Sequence, residues 1–192
     1  MSENMKKEIM KYATPPVSVM ILGVVFMVLS PILFFVFKAV TSDPVMPIVV
    51  SLVMGIMGAV FFCIRYIYME RVKNALKQAE LNAGATFLAD DYVRGKRFLN
   101  QRIICGEHYV FGKGQGVILR LSDISAIIRE TKHYRNMPTA ENLTAKMIYG
   151  QKITICSISQ IENNNPPYAE IIEEIMKNAP DIQLIDKRSR LF

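Results

Sequence analysis

The side chains that carry most enzyme chemistry are scarce in this chain. Its 192 residues include two histidines, His108 and His133, and three cysteines, Cys63, Cys105 and Cys156. The cysteines form no CxxC pair and no Cys/His group of the kind zinc requires, so no metal ligands are assigned. Buried or half-buried thiols in a reducing compartment are expected instead. No GxSxG elbow presents a serine, and Glu107 and Asp123 are the acids nearest the histidines in sequence. The doublets Asp90-Asp91 and Glu173-Glu174 read as loop and helix-surface charges. Catalysis is the minor reading, and no catalytic residue or cofactor is assigned.

Phosphate-loop signatures are missing too. Gly112, Gly114 and Gly116 alternate in GKGQG, which is neither GxGxxG nor GxxxxGK[ST]. Loops of those kinds open a helix whose first amides face the phosphate, whereas VILRL after Gly116 has the composition of a strand. A kinase-type glycine loop does join strands, but HRD and DFG are absent. The three glycines are therefore expected to form a tight turn, left-handed where it needs to be.

Charge is absent locally. Residues 17–37 and 45–64 contain no Asp, Glu, Lys, Arg or His. At about 1.5 Å per helical residue, either run covers a hydrocarbon core about 30 Å thick. The first run is too long and too bulky at its LFFVF end for a signal peptide, so a two-helix transmembrane hairpin, residues 17–64, is expected. Lys6, Lys7 and Lys11 before it and Arg65, Arg71, Lys73 and Lys77 after it outnumber Lys38 in the connection. That bias predicts a multi-pass protein of the cell membrane with both termini cytoplasmic. Lack of ionisable groups in the spans argues against transport by the hairpin alone. Ser51, Gly55 and Ala59 form a helix-packing stripe, expected to meet Gly23 and Ser30 of the first helix or, as a homo-oligomer, another copy.

The rest of the chain divides by texture. Residues 1–16 form a cytosolic segment, and 65–84 continue the second span as a helical stalk capped by Gly84. Residues 85–186 form a domain of short strands: ATFLADDYV, QRIICGE, HYVFG, GVILRLSDISAIIRET broken near SD, LTAKMIYG, and KITICSI after a turn at Gly150 and Gln151. A helix follows, capped by Asn165 with Pro166 in its first turn, its apolar stripe being Tyr168, Ile171, Ile172, Ile175 and Met176. DIQLI adds a final strand, and 187–192 is a basic tail.

Six or seven antiparallel strands closed by one amphipathic helix is the element order of a pleckstrin-homology-like (PH-like) barrel. HYVFGKGQGVILRLSDISAII, YRNMPTAENLTAKMIYGQKITIC and KNAPDIQLI together resemble uncharacterised bacterial two-pass membrane proteins with a PH-like cytosolic domain. The resemblance spans the chain and implies an α-helical membrane hairpin plus a mainly β domain, with no known activity. PH domains that bind phosphorylated lipids carry basic residues where RGKRFLNQR stands, so Arg94, Lys96, Arg97 and Arg102 are candidates for anionic-lipid contact. From residue 81 onward fifteen Lys/Arg face twelve Asp/Glu, too small an excess for a nucleic-acid binder. RETKHYRNMPTAENLTAK is expected to be a long connecting loop offering Tyr134, Arg135 and Met137.

The expected function is a non-enzymatic, membrane-anchored interaction or scaffold module at the cytoplasmic face of a bacterial membrane. Membrane lipids and an unidentified protein are its expected partners. The alternatives are an accessory subunit of a larger transport or secretion assembly and an enzyme with an unrecognised site.

Overall fold

A computed structural model describes residues 1–81, 84–134, 137–159 and 168–187. Helix α1 is Glu3–Ala13, α2 is Val17–Val40 and α3 is Val45–Leu81. Both α2 and α3 are long and apolar enough to cross a membrane. They pack against each other where side chains are smallest. The Ser30 hydroxyl donates to the Ser51 carbonyl at 2.7 Å and lies 3.0 Å from the Ser51 hydroxyl. A Cβ on Gly58 would sit 2.7 Å from the Gly23 carbonyl oxygen, so the two backbones touch there. Ser51 and Gly55 thus meet the first helix, and the next contact is the buried Gly58; Ala59 is exposed.

Past Ile64, α3 runs on unbroken as the stalk, which no proline interrupts and good helix formers fill. The Gly84 amide returns to the Ala79 carbonyl at 2.8 Å, and Gly84 then opens helix α4, Ala85–Arg94. ATFLADDYV is therefore a helix and not the expected strand. Ala85, Leu88, Ala89 and Tyr92 repeat at helical spacing with Leu88 fully buried, while Thr86, Phe87 and Val93, which suggest a strand, lie on the exposed side.

Two four-stranded sheets follow. The first is a meander of β1 (Lys96–Phe98), β2 (Ile103–Cys105), β3 (Tyr109–Gly112) and β4 (Val117–Arg120). A 3-10 turn at Leu121–Asp123 makes the break expected at SD. The second sheet has the order β7-β6-β5-β8, with β5 Ile124–Tyr134, β6 Met137–Met147, β7 Lys152–Ser159 and β8 Gln183–Lys187. Gly150, at φ 86°, turns β6 into β7. Two expectations are corrected. The segment around residues 130–147 is the two arms of the β5–β6 hairpin, not an irregular loop, and DIQLI enters as β8 parallel to β5, not antiparallel. Arg135, Asn165 and Pro166 lie outside the described residues.

Helix α5, Tyr168–Asn178, buries Tyr168, Ile171, Ile172 and Ile175 against both sheets, and Met176 packs on the same cluster. Val110, Leu119, Ile127, Leu143 and Ile155 of the sheets belong to the same core. Among the described residues one buried ion pair crosses this core. Arg129 donates to Glu141 from the neighbouring strand, its guanidinium lies 5.6 Å from the Tyr168 ring, and the Tyr168 hydroxyl donates to the Glu141 carbonyl at 2.8 Å. Burial pushes the Tyr168 hydroxyl well above its ordinary pKa.

Candidate interaction surface

The segment before the first apolar helix is the main structural feature without a counterpart in the sequence reading. Ser2 caps α1 by accepting from the Met5 amide at 3.3 Å, Glu3 occupies the first turn and Lys11 the last. Ile9 and Ala13 are fully buried against Val72, Leu76 and Ala79 of the stalk. Ile104, Phe111 and Ile118, on the opposite face of the first sheet from α5, complete this second core with Leu88 of α4. Lys6 pairs with Glu80, and Arg65 donates to the Pro15 carbonyl.

These contacts fix the role of the glycine run. Gly114 donates to the Tyr12 carbonyl at 2.9 Å and Gly116 to the Ala13 carbonyl at 2.7 Å. Both glycines have positive φ, 69° and 65°, and a Cβ on Gly116 would meet Tyr68 at about 3 Å. The turn thus needs glycine for its conformation and for its approach to the stalk. Gly112 instead ends β3. Beside it, Leu99, Asn100 and Gln101 are three consecutive residues with φ between 52° and 66°, a strained turn that joins β1 to β2. The Tyr12 hydroxyl donates to the Gln101 carbonyl at 2.8 Å, and burial raises its pKa. Both turns therefore sit against residues 12–15, immediately before α2.

The four expected lipid-contact residues do not form one patch. Arg102 belongs to the strained turn, and its carbonyl accepts the Lys113 amide at 2.8 Å, so this end of the sheet has two basic residues. Arg97 is exposed on β1, and its charge acts on the Tyr12 and Tyr92 phenols. Arg94 ends α4, and Lys96 starts β1, where it pairs with Glu174 at 3.2 Å and lies 5.1 Å from the Phe98 ring. Lys113, inside GKGQG, is the member of this surface the sequence reading passed over.

Other polar groups prove structural. Asp91 is buried, contrary to the expected surface position, because its carboxylate accepts three successive backbone amides, Glu107 at 3.1 Å and His108 and Tyr109 at 2.7 Å each. This ties α4 to the β2–β3 turn. His108 is exposed, with its ring 4.5 Å from that of Phe87. Burial, aided by the charge of Glu174, pushes the Cys105 thiol up to about 12. Among the described residues, no three His, Cys, Asp or Glu side chains are grouped to hold a metal ion.

Two apolar helices followed by a small sheet domain with a C-terminal helix are what the structure defines. Comparison with protein-family models, with curated proteins and with solved structures finds no match to this chain.

Proposed function

We propose that this protein is a non-enzymatic, membrane-anchored interaction module whose PH-like domain stands at the cytoplasmic face of a bacterial membrane. The observation that carries the reading is the docking of the β1–β2 and β3–β4 turns on residues 12–15. That contact holds the sheet domain in one orientation directly above the hairpin, with Arg102 and Lys113 on the side nearest the spans. A four-stranded antiparallel meander and the antiparallel strands β5, β6 and β7, closed by α5, support the PH-like assignment, and the parallel β8 is an addition to that element order. In this reading Arg97, Arg102 and Lys113 face anionic headgroups, each contributing roughly 1 kcal/mol or less, while Arg94 and Lys96 contribute less.

The test uses the full chain in nanodiscs. Hydrogen exchange at residues 99–102 and 113–116 is expected to slow when zwitterionic lipid is replaced by anionic lipid. In the Arg97→Gln, Arg102→Gln, Lys113→Gln triple variant it is expected not to respond. Equal exchange in both lipids for the unmodified protein would refute the lipid contact.

A second reading, an accessory subunit of a larger membrane assembly, is favoured by a groove on the hairpin between Ser30 and Phe34 of α2 and Ser51, Gly55 and Ala59 of α3. A helix of another membrane protein would fit there through small-residue contact. Purification in mild detergent separates the two: a stoichiometric integral partner supports the subunit reading.

A further inference from the structure

A cleft of about 790 Å³ lies between the stalk half of α3 and the two open-edged strands that face it, β4 of the first sheet and β7 of the second. That volume falls among sites that hold a molecule of roughly nucleotide or drug size, about 300–1,000 Å³. Three cations reach it from three different elements, Arg71 from α3, Arg120 from β4 and Lys152 from β7. None has an ion-pair partner among the described residues, whereas Lys6, Lys73, Lys96, Lys177 and Arg129 are all paired. Among the described residues Asp123 is the one carboxylate on the wall, and the Ser122 hydroxyl donates to it at 3.3 Å. Three positive charges against one negative leave the described lining at +2.

The wall behind the cations is polar. Thr154 and Ser157 of β7 line the cleft, and their partners across the ladder are Thr144 and Asn142 of β6. Residues directly opposite in an antiparallel pair share a sheet face. Thr144 and Asn142 are only 5% and 2% exposed, yet Thr144 Oγ1 and Asn142 Oδ1 have no hydrogen-bond partner. Neither residue lines the cleft, so these two buried oxygens are a place for ordered water, and Thr154 and Ser157 are the polar groups of this wall that a ligand can reach.

We infer that this cleft binds a small molecule bearing a phosphate group. Arg71, Arg120 and Lys152 hold the phosphate, and O–H or N–H groups of the remainder face the polar wall of β7. Guanidinium groups match phosphate oxygens in charge and geometry, and a concave wall of one sign concentrates its field on an anion. The guanidinium of Arg71 already lies 5.6 Å from the Tyr68 ring centroid. The inference goes beyond the proposed lipid contact, because the cleft and the β1–β2 surface share no residue. Its floor at Tyr68 is about 6 Å past Ile64 and its far end near Gln78 about 21 Å, at 1.5 Å per helical residue. Most of it therefore stands clear of a headgroup layer about 5–7 Å deep.

The experiment is calorimetric titration of inorganic pyrophosphate into the full chain in phosphatidylcholine nanodiscs at low salt. Saturable binding is expected, weakened at least tenfold by Arg120→Gln with Lys152→Gln, two exposed residues whose replacement should leave the thermal midpoint unchanged. Lys132→Gln with Lys187→Gln, exposed cations that belong to neither surface, should bind like the unmodified protein. No saturable binding, or equal weakening by both pairs, overturns the proposal. Repeating the titration in discs containing phosphatidylglycerol identifies the source: unchanged affinity supports a soluble phosphate compound, whereas competitive weakening supports a lipid headgroup in the same cleft.

Discussion

The two hydrophobic cores differ in where their residues come from. The first lies between the sheets and α5, and every residue in it belongs to the sheet domain itself, from Phe98 to Ile182. The second lies on the other face of the first sheet and takes Ile9 and Ala13 from α1, Val72, Leu76 and Ala79 from the stalk, and Leu88 from α4. A sheet with only the first core would expose Ile104, Phe111 and Ile118. With both, β2 and β3 are buried on each face, and α1 and the stalk become part of the domain's own packing. The sheet domain is thus mounted on the hairpin, not tethered to it, and an isolated fragment beginning at residue 85 would lack half of one core.

The sharpest way to break this comparison is Ile9→Asp, which empties an apolar site and buries a charge. It should cost about 3–5 kcal/mol in denaturant unfolding of the full chain in detergent. Ile171→Ala in the first core should cost about 2–5 kcal/mol. If the cores form one cooperative unit, both variants lower a single transition; two separate transitions would show that they fold independently. Asp91→Ala follows, at about 3 kcal/mol, since three amides lose their acceptor together; the thermal midpoint reads it. Gly58→Leu should separate α2 from α3 at a cost of about 1–3 kcal/mol and reduce disulfide cross-linking between Ser30→Cys and Ser51→Cys. Gly116→Ala should cost about 1–2 kcal/mol and loosen only the second core, because it strains a left-handed position.

The smallest effect near neutral pH is alkaline. The Cys105 pKa is raised in the fold, so between the ordinary thiol value of 9.0 and about 12 the unfolded chain has lost a proton that the folded chain keeps. Stability is then full below pH 9 and falls as pH rises toward 12. Cys105→Ala should flatten that part of the profile, measured by denaturant midpoint against pH.

Elements set by local pattern were legible in the sequence. The uncharged runs, the continuous stalk, the break at Ser122-Asp123, the Gly150 turn and the stripe from Tyr168 to Ile175 all follow from periodicity and turn chemistry. Helix α4 was not legible because Thr86, Phe87 and Val93 have strand-like side chains, while its inner face buries one large apolar residue, Leu88, beside the carboxylate of Asp91. Helix α1 is short and carries three lysines, and its apolar face has meaning only once the stalk and β3 lie beside it. The parallel pairing of β8 and the three amides that receive Asp91 are long-range contacts that no local window encodes. For the same reason RGKRFLNQR reads as one basic cluster, although the fold turns Lys96 toward Glu174 and brings Arg102 to Lys113.

Mounting of the domain by its glycine turn on the segment before α2 is tested most directly by native-state hydrogen exchange in nanodiscs. The Gly114 and Gly116 amides, donors to Tyr12 and Ala13, should be protected to the same degree as those of β3 and β4, and Ile9→Asp should abolish that protection. Exchange of these two amides at the rate of an open turn in the unmodified protein would contradict the account.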